Sequence, residues 1–217
     1  MNKREIIRRY ALFILSLFFI RLGIGFAKRA ELGISPISSV PNIMTEKFPV
    51  LSLGMWLLVA NLLFIVGQIL LLRCNFKLIQ LLQIPLSVLF GYFTDFGVWV
   101  VQDIPNGNYY VKLILLMISI IVIGFGVALG GIANVILNSP EAFMRVIAKK
   151  TKKDFGNIKV IFDISWVTLS VALSVLFFDG KILGVREGTV IAALLVVFAV
   201  KFFHPKLHEP LTKILTK

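Results

Sequence analysis

Three ionisable side chains stand inside long apolar runs of this chain: Arg21, Asp95 and Asp163. A charge at the centre of a lipid-embedded helix costs about 2.5–3.5 kcal/mol on insertion scales, so such residues mark solute or ion sites by default. Arg21 lies seven residues before Lys28, and Asp95 eight before Asp103. At about 1.5 Å per residue both come about 10–12 Å below one membrane boundary. A buried Arg21–Asp95 pair, or a shared hold on an anionic solute, fits that match in depth. Snorkelling of the long Arg21 stem to the headgroups is the alternative. Asp163 suits a proton or cation that couples to solute movement. It also suits a helix cap, or a pair with Lys159 one turn away.

Two further polar sets accompany them. Ser35-Pro36 and Ser139-Pro140 each open a short amphipathic stretch, with Ser at the cap position and Pro in the first turn. Glu141 follows in the first turn of the second stretch, where it complements the helix dipole. Such helices either lie flat in the interface, one per leaflet, or dip inward so that their first N–H groups face an anionic solute. Only the second arrangement makes Ser35 and Ser139 binding residues. Asn61 and Thr189 are candidate polar contacts, and Gln68, Gln83 and Ser87 are expected to hydrogen-bond between helices.

The elements that position these groups follow from composition. Of 217 residues 58% are hydrophobic and 16% charged, with a mean hydropathy of +0.92. Soluble domains carry about 45–50% apolar and about 25% charged residues, so lipid is the expected solvent. The net charge of +12 is read as a basic rim facing anionic lipid rather than a nucleic-acid surface. Six runs are long enough for a span of about 20 residues: 10–27, 51–72, 78–102, 112–136, 155–178 and 182–203. The basic start MNKREIIRR precedes an apolar stretch too long for a signal peptide, with no small-residue cleavage motif, so this first span is retained. Sixteen Lys and Arg fall on the side of the N-terminus and six on the other. The positive-inside rule therefore puts both termini in the cytoplasm, as an even number of spans requires. Residues 1–9 and 204–217 read as basic cytoplasmic tails of a single membrane domain covering 1–217.

The second half echoes the first. Gly23-Ile24-Gly25 matches Gly124-Phe125-Gly126, Ser35-Pro36 matches Ser139-Pro140, and at an offset of 102 Gly54, Asn61 and Ser87 fall on Gly156, Asp163 and Thr189. Three spans per copy (about 10–102 and 112–203) is an odd number, so the copies must face opposite ways. The expected fold is all-α: six transmembrane helices in two inverted three-helix repeats, each with its Ser-Pro-capped interfacial or half-helix. Secondary transporters use this plan, with the solute near the midplane where the repeats meet.

The stretches GIGFAKRAELGISPISS and NLLFIVGQ, then GFGVALGGIANVILNSP, FDISWV and GVREGTVI, resemble the YitT/YczE/YyaS family of bacterial membrane proteins over roughly Tyr10 to Phe203. The resemblance implies a multi-pass protein of the bacterial cytoplasmic (inner) membrane and brings no catalytic residues. One departure is Leu169 opposite Gly67, which bears on close helix contact in the second half.

No nucleotide-binding loop, metal-ligand spacing or nucleophile motif occurs, so neither an enzyme nor a cofactor is expected. His204 and His208 flank Pro205 and read as interfacial, and lone Cys74 can form no internal disulfide. The expected function is secondary transport or facilitation of a small anionic or zwitterionic solute. Arg21 would anchor the anion, Asp95 and Asp163 would take a proton or cation, and Asn61 would supply a polar contact. Two other readings stay open: a substrate-capture subunit docked on an ATP-driven importer, and a non-transporting scaffold. The expected partners are the bilayer and a small-molecule or ion solute, with homo-oligomerisation left open.

Overall fold

The computed structural model describes residues 3–135 and 137–216. Ile136, the expected end of the fourth span, and Lys217, counted on the cytoplasmic side, lie outside the described residues. Eight α-helices follow in order: α1 (Lys3–Ala30), α2 (Pro36–Lys47), α3 (Leu53–Leu72), α4 (Gln83–Val101), α5 (Tyr109–Ala133), α6 (Ser139–Thr151), α7 (Phe155–Phe177) and α8 (Glu187–Thr216). Two 3-10 turns, Arg73–Asn75 and Leu78–Leu82, lead into α4. Among the described residues every regular element is helical. Six helices (α1, α3, α4 with its preceding turn, α5, α7 and α8) are long and apolar enough to cross a membrane. α2 and α6, of 12 and 13 residues, are the Ser-Pro helices.

Several boundaries differ from expectation for local reasons. The sixth span, α8, begins at Glu187 rather than Ile182, because Asp179, Gly180 and Gly184 adopt positive φ and break the chain direction. Ser174 Oγ steadies that loop, donating to the Lys181 carbonyl and accepting from the Leu183 N–H. At its far end α8 continues through Pro205 and Pro210 to Thr216, so 204–216 is no loose tail. Each proline removes a single N–H, and tertiary contacts hold the rest: Arg8 Nη1 donates to the Ile214 carbonyl at 2.7 Å, and Leu215 is buried. Residues from Lys3 on likewise belong to α1, where Arg9 pairs with Glu5 one turn back at 2.9 Å.

The chain forms two compact units, each drawing on both halves of the sequence, and the division falls within α4. The first comprises Met1–Ile34, Phe93–Val135 and Arg186–Lys217. Its centre is the close packing of α1 on α5. Gly23 lies against the α5 backbone at Ser119–Ile123, and Gly126 lies against the α1 backbone at Ser16–Ile20. The two helices therefore run antiparallel. Gly25 abuts Gly97 of α4, and Gly124 abuts Ala199 of α8. In lipid, where apolar tails compete with apolar side chains, such small-residue contacts supply the van der Waals gain that holds helices together. Toward one end Ala30, Leu32, Leu115, Leu116, Ile120 and Ala192 close an apolar cluster.

The second unit comprises Ser35–Tyr92 and Ile136–Val185. Here α2 packs on α7 and α3, and α6 packs on α3 and α7. Phe64, Phe143, Phe162 and Trp166 form an aromatic cluster with ring centroids 5.1–6.2 Å apart.

Two predictions follow from the first unit. A Cβ on Gly25 would run into the Gly97 backbone, whereas on Gly131 it would meet only the His204 ring at 3.6 Å. Gly25→Ala is therefore expected to lower the thermal unfolding midpoint in detergent by an overpacking cost of about 1–3 kcal/mol. Gly131→Ala should leave that midpoint unchanged or raise it, since Ala favours a helix by about 1 kcal/mol.

The second concerns Glu31, just beyond α1, whose carboxylate accepts from Lys112 Nζ at 2.6 Å. That hydrogen bond holds the Glu31 carboxyl below its ordinary value, against a smaller opposing effect of burial. A depressed folded-state value adds stability above the unfolded value and loses it as pH falls through the folded one. Glu31 is more than half exposed, so its contribution is on the order of 0.5 kcal/mol or less. Glu31→Gln should lower the unfolding midpoint slightly at pH 7, and the difference should vanish on acidification below the carboxylate range.

Candidate functional site

Polar groups gather in the second unit around the first turns of α2 and α6. The indole N–H of Trp166 donates to the Ile37 carbonyl at 3.0 Å, and the Phe48 and Phe177 rings meet edge to face at 5.9 Å. Trp166 is the midpoint of α7 and Phe177 its last residue. α2 thus runs parallel to α7, starting beside its middle and finishing beside its end. α6 lies along α3, with its opening against Gln68, four residues short of the end of α3. Its first residue, Ser139, accepts at its carbonyl from Gln68 Nε2 at 3.2 Å, Phe143 packs on Phe64 and Gly67, and Lys150 Nζ reaches the Leu71 carbonyl.

The first turns are held by polar side chains but not capped by them. Ser35 occupies the N-cap of α2, yet its hydroxyl donates to Ser38 Oγ at 3.0 Å and makes no capping bond. In α6 the N-cap is Asn138, and Ser139 is the first helical residue, one place later than expected. The reason is a partner from another helix. The Ser139 hydroxyl is engaged with Ser87 Oγ at 3.2 Å, while Asn138 takes the extended φ, ψ of −58°, 148° that Ser35 has in α2. Asn138 Oδ1 is buried and accepts no hydrogen bond. Behind Ser139, Gln68 and Gln83 exchange two amide hydrogen bonds of 3.0 and 3.2 Å.

Asn61 and Asp163 come next on the same faces. Asn61 is one turn before Phe64 and seven residues before Gln68, about 10 Å along α3 from the residue that meets Ser139. It is buried to 3% exposure, and its Nδ2 makes no hydrogen bond. Asp163 is seven residues before Ser170 and one turn before Trp166, whose indole meets the second residue of α2. Its Oδ2 lies 3.6 Å from Lys159 Nζ, while Oδ1 is buried without a hydrogen bond.

The other expected residues belong to the first unit. Arg21 is buried in α1. The Gly97 Cα faces the Arg21 carbonyl and the Leu22 Cα, which puts Asp95, two residues earlier on α4 and half-buried, near the level of Arg21. Thr189 is buried at the start of α8, with its hydroxyl accepting from the Arg186 N–H and lying against Gly33. Among the described residues no three His, Cys, Asp or Glu side chains gather to hold a metal. The His204 and His208 rings are neighbours, with centroids 5.5 Å apart.

Sequence reasoning missed Asn138, Ser170 and Asn42. Ser170 Oγ and Asn42 Oδ1 are buried and make no hydrogen bond. A signal for Ser170 was available, since the offset of 102 lays it on Gln68.

Comparison with known proteins agrees with this all-helical membrane architecture. Over 206 residues, 94% of this chain and 89% of the relative, the sequence is 24% identical to the uncharacterized membrane protein YczE of Bacillus subtilis. No solved structure matches the chain. Residues 7–205 match the model of a family of unknown function, DUF6198, and with nearly the whole chain covered this YczE-like integral membrane protein belongs to that family.

Proposed function

We propose that the protein is a secondary transporter or facilitator of a small anionic or zwitterionic solute, built from two inverted three-span repeats. One observation carries the reading. Two helices of half a span's length begin against crossing helices, α2 beside the middle of α7 and α6 beside Gln68 of α3, with no side-chain cap on their first N–H groups. A helix lying flat in an interface has no reason to start there, and broken helices at mid-depth line solute sites. The inverted repeat draws support from reciprocal contacts. α1 and α5 cross antiparallel, each through its own glycine on the other's backbone. α2 of the first repeat lies on α7 of the second, and α6 of the second lies on α3 of the first.

In this reading Asn61 and the two half-helix openings bind solute, and Asp163 carries the coupling proton or cation. Arg21, Asp95 and Thr189, with Ser35 and Ser139, remain candidates for binding or for holding the helices in place. The membrane is the bacterial cytoplasmic one, with both termini on the cytoplasmic face. Cys74 is exposed and follows α3, and in this topology it belongs to that same face. A membrane-impermeant maleimide should therefore label it in inside-out vesicles and not in intact cells.

For transport itself, purified protein in liposomes loaded with a pH-sensitive dye is challenged with amino acids, small carboxylates and inorganic phosphate. The expected result is a solute-dependent flux or proton movement that empty liposomes lack, with the proton component lost in Asp163→Asn. Absence of flux for every solute from folded, correctly inserted protein would sink the reading.

A further inference from the structure

We propose that the junction of α6 and α7 is a seat for one anionic phospholipid, its phosphate held at Lys153 and Asn157 and its acyl chains laid along Val160 and Ile161 of α7. Such a seat needs only a chain embedded in a bilayer, and is independent of any transport.

Residues 149–153 read Lys-Lys-Thr-Lys-Lys, the densest run of positive charge in the chain. Lys149 and Lys150 stand in the last turn of α6, Lys152 is its C-cap and Lys153 follows, all of them exposed. Two contacts bring further cations to the same end. Lys150 Nζ donates to the Leu71 carbonyl at 3.1 Å, close to Arg73 at the C-cap of α3. The Arg145 guanidinium lies 5.4 Å from the centre of the Phe155 ring, at the start of α7. Little opposes this charge. Asp154 Oδ2 accepts from the N–H groups of Gly156 and Asn157, at 2.8 and 3.3 Å, and Asp163 lies against Lys159. Among the described residues none of the four lysines of 149–153 sits in an ion pair. Basic clusters at a membrane boundary attract anionic headgroups.

A general attraction needs no particular place, but here there is one. A groove of about 550 Å³ opens beside the start of α7, lined by Lys153, Asp154, Asn157, Val160 and Ile161. That volume falls within the roughly 300–1,000 Å³ of small-molecule sites. Its lining is graded. Lys153 and Asn157 stand at the polar end, where the span begins. Val160 and Ile161, three and four residues past Asn157, share its face of the helix one turn deeper. Both are more than half exposed, and Ile164, a turn further on, continues the stripe at 61%. Positive charge above and aliphatic surface below match a phosphate and the chains attached to it. A free inorganic anion would have no use for the lower part. Asp154 is the one carboxylate in the lining, and the lysines beside it outweigh its charge.

The test is lipid binding to full-length protein purified in a non-ionic detergent. Thermal unfolding is followed as phosphatidylglycerol is added to the micelles, with phosphatidylcholine and inorganic phosphate as comparisons. A saturable rise in the unfolding midpoint is expected with phosphatidylglycerol and with neither comparison. Lys152→Gln combined with Lys153→Gln should weaken the apparent affinity about tenfold to thirtyfold, at roughly a fivefold factor per lysine near an anionic lipid surface. Lys201→Gln combined with Lys213→Gln, which removes the same charge from exposed positions of α8, should leave it unchanged. Ile161→Trp fills the apolar part of the groove and should weaken binding with no change in charge. Equal responses to the two lipids, a matching response to inorganic phosphate, or equal losses in the two lysine pairs overturn the proposal. So does full affinity in Ile161→Trp, or wild-type protein with no saturable response. Should the variants not fold, a photoactivatable phosphatidylglycerol is crosslinked to wild-type protein instead. Adducts within residues 153–161 support the seat, and adducts confined to other segments refute it.

Discussion

A backbone N–H or C=O in hydrocarbon has no water to turn to, so every one must find a partner within the protein. Most of this chain meets the rule with uninterrupted helices. Helices that start anew within a unit, as α2 and α6 do, leave first-turn N–H groups that need partners around them. That is why serine, asparagine and glutamine concentrate there, in a sequence that is otherwise mostly Leu, Ile, Val and Phe. The aromatic cluster of Phe64, Phe143, Phe162 and Trp166 fills the space beside these openings. Through the Trp166 indole it also contributes a donor to the α2 backbone.

The first unit solves a different problem by different means. α1 and α5 carry ten buried residues each, against Ile158, Ser170 and Ser174 alone in α7. Their closeness comes from glycine. Gly23 and Gly126 admit the opposite backbone, and Gly25 and Gly124 admit Gly97 and Ala199. The departure at Leu169 now has a reading. Gly67 leaves room for the ring of Phe143, while the residue that the Ser-Pro match lays on Phe143 is Ser39, which has no ring to receive.

Much of this was legible in the residues. Span positions follow from runs of apolar side chains, which the bilayer thickness reads directly. The Gly and Ser-Pro pairs stood out because few residue types can replace them at a close contact or a helix start. What escaped notice depended on partners distant in the chain. Asn138 displaces Ser139 from the cap because Ser87, 52 residues away, engages the Ser139 hydroxyl. α8 runs on through two prolines, and its last turn meets the Arg8 guanidinium from the other end of the chain. The exchange of partners between half-helices and crossing helices lies in no single segment.

The far end of α6 bears on its near end. Its last turn carries Lys149 and Lys150, followed by Lys152 in the left-handed conformation and then Lys153, so a knot of ammonium groups sits on the negative pole of the helix. α2 has only Lys47 there. A dipole whose negative pole is neutralised acts on its surroundings much as a lone fractional positive charge at the other pole, about half an elementary charge. Such a monopole falls off more slowly with distance than a dipole does, so α6 can draw negative charge from further away than its twin.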